Sequence, residues 1–195
     1  MAGSIKVAGH ELVSHDIAND KLITGSGFPA GLIVNVVAQS PTITAAQYPN
    51  TNAGLVCTGS EYLYTPASNA SKVWYEYHVH IAHVDPSTVI GFTVELEDST
   101  GANTFTYASG RNHGIYNPFA DQNAQLGMYT IAHVFDAWSG ARKIRTRAAG
   151  LFNGGTSYET KLHETDYNIG AASGNPGAQF GVAYVSPILK IYSIT

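Results

Sequence analysis

Residues 90–97 constrain the fold more than any other stretch of this sequence. Ile90, Phe92, Val94 and Leu96 alternate with Gly91, Thr93, Glu95 and Glu97. A period of two places the first set on one face of an extended chain and the second on the other. Such a segment buries its apolar side in a half-covered antiparallel sheet. It runs into Asp98-Ser99-Thr100-Gly101-Ala102-Asn103, a cluster of turn formers, and then into residues 104–107. The two segments are expected to pair as a hairpin. Glu95 and Glu97 fall on the polar side and read as solvated surface charges, as do Glu164 and Asp166.

The same rhythm recurs along the chain. Gly, Pro, Asn and Ser punctuate it every ten residues or so, and further strands are expected at 5–8, 32–38, 61–64, 73–84, 126–138, 158–163, 180–185 and 188–194. Residues 73–84 and 126–138 are apolar or aromatic on both faces and are expected to form the spine of the sheets, with Trp74, Tyr75, Tyr77, Tyr129 and Trp138 mostly in the core. Segment 139–150 reads either as a short helix capped by Ser139 or as a strand. The strand is preferred, because Ser139-Gly140 makes a reasonable hairpin turn after Trp138. No amphipathic helix is convincing elsewhere, so the fold class is all-β, an antiparallel two-sheet sandwich of jelly-roll type. The 195 residues are read as one domain, 1–195, with 1–30 an extended N-terminal arm or an edge hairpin.

Composition narrows the function. Only 12% of residues are charged, against about 25% in an average soluble protein. A surface so poor in charge favours contact between copies, because charge is what keeps proteins apart. The net charge of −4 gives no general attraction for phosphate backbones, so no nucleic acid is expected as a partner. No apolar run is long enough to span a bilayer and the first residues carry no signal core, so cytosolic synthesis without membrane insertion is expected. Cys57 is the only cysteine, which excludes an internal disulfide and fits a reducing compartment.

The sharpest chemical feature is Tyr75-Glu76-Tyr77-His78-Val79-His80. A strand period puts Glu76, His78 and His80 on one face, where two imidazoles and a carboxylate could hold a first-row metal. His78-x-His80 followed by Asp85 resembles the first cupin motif, which implies a metalloenzyme. Asp85 stands where that family has glutamate, and the second motif is not found. The preferred reading is therefore ordinary strand histidines with no metal and no cofactor. His83 and His133 are read as amphipathic residues at the edge of the core.

Two further groups could mediate interactions. Arg111, His113 and Tyr116 lie in a turn-rich loop, where sandwiches carry binding function. Lys143, Arg145 and Arg147 would project on one side of a strand and could dock an acidic neighbour, although a solvated outer face is the plainer reading. Nucleophilic catalysis finds no support, since Cys57 has no local nucleophile signature and no Gly-x-Ser-x-Gly elbow is present.

The chain as a whole resembles the small jelly-roll proteins of tailed-bacteriophage virions, head decoration proteins and fibre-head domains. The residues that carry this are the Met-initiated start, the short punctuated strands, the aromatic stretch Lys72-Val73-Trp74-Tyr75-Glu76-Tyr77-His78-Val79 and the closing pair at 180–185 and 189–194. The resemblance implies a non-enzymatic virion surface protein that acts as a symmetric homo-oligomer, commonly a trimer. Its partners would be a capsid shell and, through exposed loops, a host surface glycan. A carbohydrate-binding sandwich is the first alternative and a cupin-like metalloenzyme the second. The long aromatic strands, with Tyr77 as an example, are expected to offer the docking area between copies.

Overall fold

The computed structural model describes residues 4–7, 10–16, 21–24, 31–49, 54–84, 89–107, 113–116, 127–151, 160–165 and 183–195. In chain order the strands begin with β1 (Ser4–Val7), β2 (His10–Asp16), β3 (Lys21–Thr24), β4 (Ile33–Gln39), β5 (Leu55–Val56), β6 (Tyr62–Tyr64), β7 (Lys72–Val84) and β8 (Val89–Glu97). They continue with β9 (Phe105–Tyr107), β10 (His113–Tyr116), β11 (Gly127–Asp136), β12 (Arg142–Leu151), β13 (Thr160–Leu162), β14 (Glu164–Thr165), β15 (Ala183–Tyr184) and β16 (Ile188–Ile194). Among the described residues there is no helix, and the chain is all-β.

Two antiparallel sheets build the sandwich. One runs β11-β7-β16-β4, with β13 also on β7; the other runs β10-β8-β12-β5, with β6 also on β12 and β9 on β8. Strands β1, β2 and β3 pair in an antiparallel sheet of their own. Strands β14 and β15 form a further two-stranded ribbon.

The hairpin expected after residue 97 is present. Glu95, Leu96 and Glu97 pair with Tyr107, Thr106 and Phe105, and the Asp98 amide donates to the Thr104 carbonyl at the turn. Within segment 139–150 the chain forms β12 from Arg142 onward, which removes the helical alternative. Ser139-Gly140, however, is not a hairpin turn. β11 and β12 lie in different sheets, so this turn carries the chain across the sandwich.

The two long strands are not equivalent. β7 is central: its first half pairs with β16, its last residues with β13, and its other side with β11 along Ile81 to Lys72. β11 is an edge strand among the described residues, and it ends at Asp136, before Trp138. Nor is β7 apolar on both faces. Val73, Tyr75, Tyr77, Val79 and Ile81 are fully buried, whereas Glu76 and His78, on the opposite face, are joined in a polar network. Tyr77 is thus a core residue and not part of a docking surface.

The core forms where this face meets Ile90, Phe92 and Val94 of β8 and Ile144 and Ala148 of β12, closed by Ile131, Leu162, Leu189 and Ile191. Three tyrosines add polar ties through it, because a buried phenol needs a partner for its hydroxyl. Tyr75 donates to the Ser60 carbonyl and meets Thr146 Oγ1, both at 2.9 Å, linking β7 to the opposite sheet. Tyr77 donates to the Thr58 carbonyl at 2.7 Å, and Tyr64 to the Asn35 carbonyl at 2.6 Å. The segment around Gly59 is pinned in this way between the sheets. Gly59 has φ 77°, and a Cβ there would lie 2.4 Å from Pro41 Cγ, so this turn admits only glycine without rearrangement.

Candidate functional site

The basic stripe is where sequence and structure differ most. Antiparallel register sets Arg145 opposite Glu95 and Arg147 opposite Thr93 on the outer face of β12 and β8. The Nε of Arg145 donates to Glu95 Oε2 at 2.7 Å, and that of Arg147 to Glu95 Oε1 at 3.0 Å. One carboxylate thus holds two guanidinium groups, one on each oxygen. The Arg145 guanidinium also lies 3.5 Å from the centre of the Phe105 ring and 3.4 Å from Glu61 Oε2. Covered in this way, Glu95 is only 2% exposed. It is not a solvated charge, and the arginines above it are not a solvated face.

Glu97 is buried for a different reason. It accepts the backbone N–H groups of Asn103 at 2.7 Å and of Lys143 at 2.9 Å, which closes the turn after β8 against the start of β12. These backbone donors hold its carboxyl below the usual carboxylate range. Lys143 Nζ reaches Asn103 Oδ1 at 2.6 Å. Lys143, Arg145 and Arg147 are therefore brought together, but as ties between strands. Glu164, also expected to be solvated, is 7% exposed, with Lys161 Nζ at 3.8 Å.

Glu76 and His78 share the outer face of β7, as the strand period requires. His78 Nε2 contacts Glu76 Oε1 at 2.5 Å, and its Nδ1 contacts Thr130 Oγ1 at 2.9 Å. Lys190 Nζ donates to the same Glu76 oxygen at 3.1 Å. Burial opposes ionisation of Glu76, but the hydrogen bonds from His78 and Lys190 outweigh it and hold the carboxyl below its ordinary value. Both ring nitrogens of His78 are thereby engaged. His80 does not join this group; burial lowers its pKa, and its Nδ1 has no partner among the described residues. No cluster of three or more metal-ligating side chains occurs among the described residues.

His113 and Tyr116 bound strand β10, opposite Phe92 and Val89 of β8, and so do not lie in a loop. Arg111 and Asp85 lie outside the described residues. His133 packs edge-on against Phe135, with ring centres 4.5 Å apart. Cys57 is buried, and desolvation pushes its thiol far above its ordinary pKa, so it is no nucleophile.

Sequence reasoning passed over His163. It is fully buried and has φ 68°, a backbone conformation uncommon outside glycine. Neither ring nitrogen has a hydrogen-bond partner among the described residues. Burial, with the neighbouring His80, lowers its pKa to about 4. Thr-Lys-Leu-His gave no signal of this, because the burial comes from β13 pairing with β7.

No family model matches the chain, and neither does any curated protein sequence. Among solved structures, it is similar to that of the infectious bursal disease virus Gt strain, with 13% identity and a TM-score of 0.43 over 98% of this chain and 43% of the other. It is also similar to the VP2 subviral particle of infectious bursal disease virus, with 11% identity and a TM-score of 0.40 over 98% of this chain and 47% of the other. The chain spans less than half the length of either protein.

Proposed function

We propose that this chain is a structural, non-catalytic virion protein whose sandwich stabilises an assembly, as a capsid decoration or fibre-head component. The observation that supports this is how its ionisable groups are used. Glu95 is enclosed by Arg145 and Arg147, Glu97 by backbone amides, and Glu76 by His78 and Lys190. These three carboxylates, which could otherwise act as acid, base or metal ligand, are spent on ties that stiffen the sheets. The tailed-phage setting, the trimer and a capsid-shell partner come from the family resemblance. The test is to isolate the native particle from its source, determine its mass and identify what co-purifies. A multimer carrying a shell or fibre protein supports the reading; a monomer with catalytic turnover overturns it.

One observation favours a second reading, a glycan-binding sandwich. Trp74 and Tyr192 stack on the outer sheet face with ring centres 6.1 Å apart and planes 4° from parallel, beside the Glu76 and Lys190 pair. Aromatic surface next to hydrogen-bonding groups suits a sugar ring. Glycan-array signal lost in Trp74→Ala would move the assignment there.

A further inference from the structure

We propose that the outer face of the β11-β7-β16-β4 sheet is a self-association surface that pairs with the same face of a second copy of this chain. The pairing rests on the structural role above, with two-fold pairing in place of the trimer that the resemblance implies, and gives that role a specific contact.

Burial of Val73, Tyr75 and Tyr77 fixes which way the sheet faces, because alternation then turns Trp74, Glu76 and His78 outward. The register sets Val134 of β11 beside Trp74, and Trp74 beside Tyr192 of β16. Val36 of β4 follows, where the β16 and β4 pairing shifts register. An apolar row therefore crosses all four strands. Among the described residues, five of the nine exposed large apolar side chains lie on this face, Ile33, Val36, Met128, Val134 and Ile188, with Val36 61% and Val134 42% exposed. Held on regular strands, they cannot withdraw from water by local rearrangement, which marks a contact surface.

Charge identifies the occupant. The chain carries a net −4, yet this face is balanced: Lys72 pairs with Asp136, and Lys190 pairs with Glu76. Two copies can meet here without repulsion and without leaving a charge unpaired. The outer side of β8 and β12 is occupied by the Glu95 clamp, and among the described residues of that sheet Leu63 is its one exposed large apolar side chain. It offers no matching apolar surface, so the contact is same-on-same, with two-fold symmetry.

The size is adequate. Residues 72–80 of β7 extend about 26 Å and four strands span about 19 Å, a footprint of about 500 Å² per copy. Two copies then bury about 1,000 Å², where specific interfaces begin.

Light scattering on the full chain across a concentration series tests this. The wild type is expected at twice the 20.7 kDa chain mass, or an even multiple of it. Val36→Glu combined with Val134→Glu is expected to raise the dissociation constant by about 100-fold or more, since each contact would desolvate unpaired carboxylates. Circular dichroism should stay unchanged, and Leu63→Glu should leave assembly intact. Should the double glutamate variant misfold, Val36→Thr with Val134→Thr is expected to weaken pairing about tenfold while keeping side-chain shape. An oligomer indifferent to these changes, or one with an odd number of copies, overturns the pairing and leaves the structural role standing. A wild type that stays monomeric throughout overturns both.

Discussion

Glu95 and Arg145 stand directly opposite each other in the β8 and β12 register, joined at 2.7 Å, with the glutamate 2% exposed. A carboxylate this deep is tolerated because Arg147 binds its second oxygen and Phe105 covers Arg145. Removing one partner from such a group strands the others in a desolvated position, which is more costly than the pair is worth in water.

Glu95→Ala is therefore expected to lower unfolding stability by about 3–5 kcal/mol, the range for breaking a buried ion pair. Glu61→Gln, which affects only the longer, half-exposed contact to Arg145, is expected to cost less than about 1 kcal/mol. Urea denaturation of both variants checks this. Equal effects would mean that burial of Glu95 contributes nothing.

The turn at Gly59 gives a second prediction. Gly59→Ala places a Cβ 2.4 Å from Pro41 and 3.0 Å from Pro187 at a positive φ. Gly101→Ala has a similar φ of 74° but open space around it. Gly101→Ala should cost about 1 kcal/mol from the backbone alone, whereas Gly59→Ala should cost at least about 1 kcal/mol more for overpacking. Thermal melts that rank the two in the opposite order would show that Pro41 gives way freely.

Metal content supplies a third. Because both ring nitrogens of His78 are already engaged with Glu76 and Thr130, elemental analysis is expected to find no stoichiometric zinc, iron or manganese. His78→Gln with His80→Gln should leave that result unchanged and cost no more than about 2 kcal/mol of stability. One bound equivalent in the wild type, lost in the variant, would restore the metal reading.

What the sequence made legible was what a period of two can carry. Residues 90–97 announce which side is buried, and Ile90, Phe92 and Val94 do lie in the core. The same period put Glu76 and His78 on one face correctly. What it could not carry was what lies over a face. Glu95 alternates as an outward residue and does point outward, but Arg145, Arg147 and Phe105 cover it, and all three come from other strands. Likewise, β11 resembles β7 in composition, yet one is an edge and the other a centre, because strand order depends on pairings remote in sequence. His163 was missed for the same reason.

That histidine gives the last prediction. Its ordinary pKa of 6.5 falls to about 4 in the folded chain because burial penalises the imidazolium and His80 lies nearby. Among the described residues the titratable group acting on it is His80 of β7, itself lowered by burial, while Lys161 and Glu164, two residues before and one after it, pair with each other. Since the folded pKa is the lower one, the unfolded chain binds the proton first. Stability is fully retained above pH 6.5, declines as pH falls towards 4, and changes no further from this group below that. A depression from 6.5 to about 4 corresponds to up to about 3 kcal/mol lost across the window. Glu76 and Glu97 are held below the ordinary carboxylate value, so the loss they cause comes at lower pH than that of His163. His163→Asn keeps a side chain that tolerates positive φ and cannot ionise. It should be less stable at pH 7, from lost packing, but should show a much smaller decline between pH 6.5 and 5, the remainder coming from His80. Urea midpoints at pH 7, 6 and 5 for both proteins decide it. Parallel declines would show that His163 takes up its proton in the folded chain as readily as in the unfolded one.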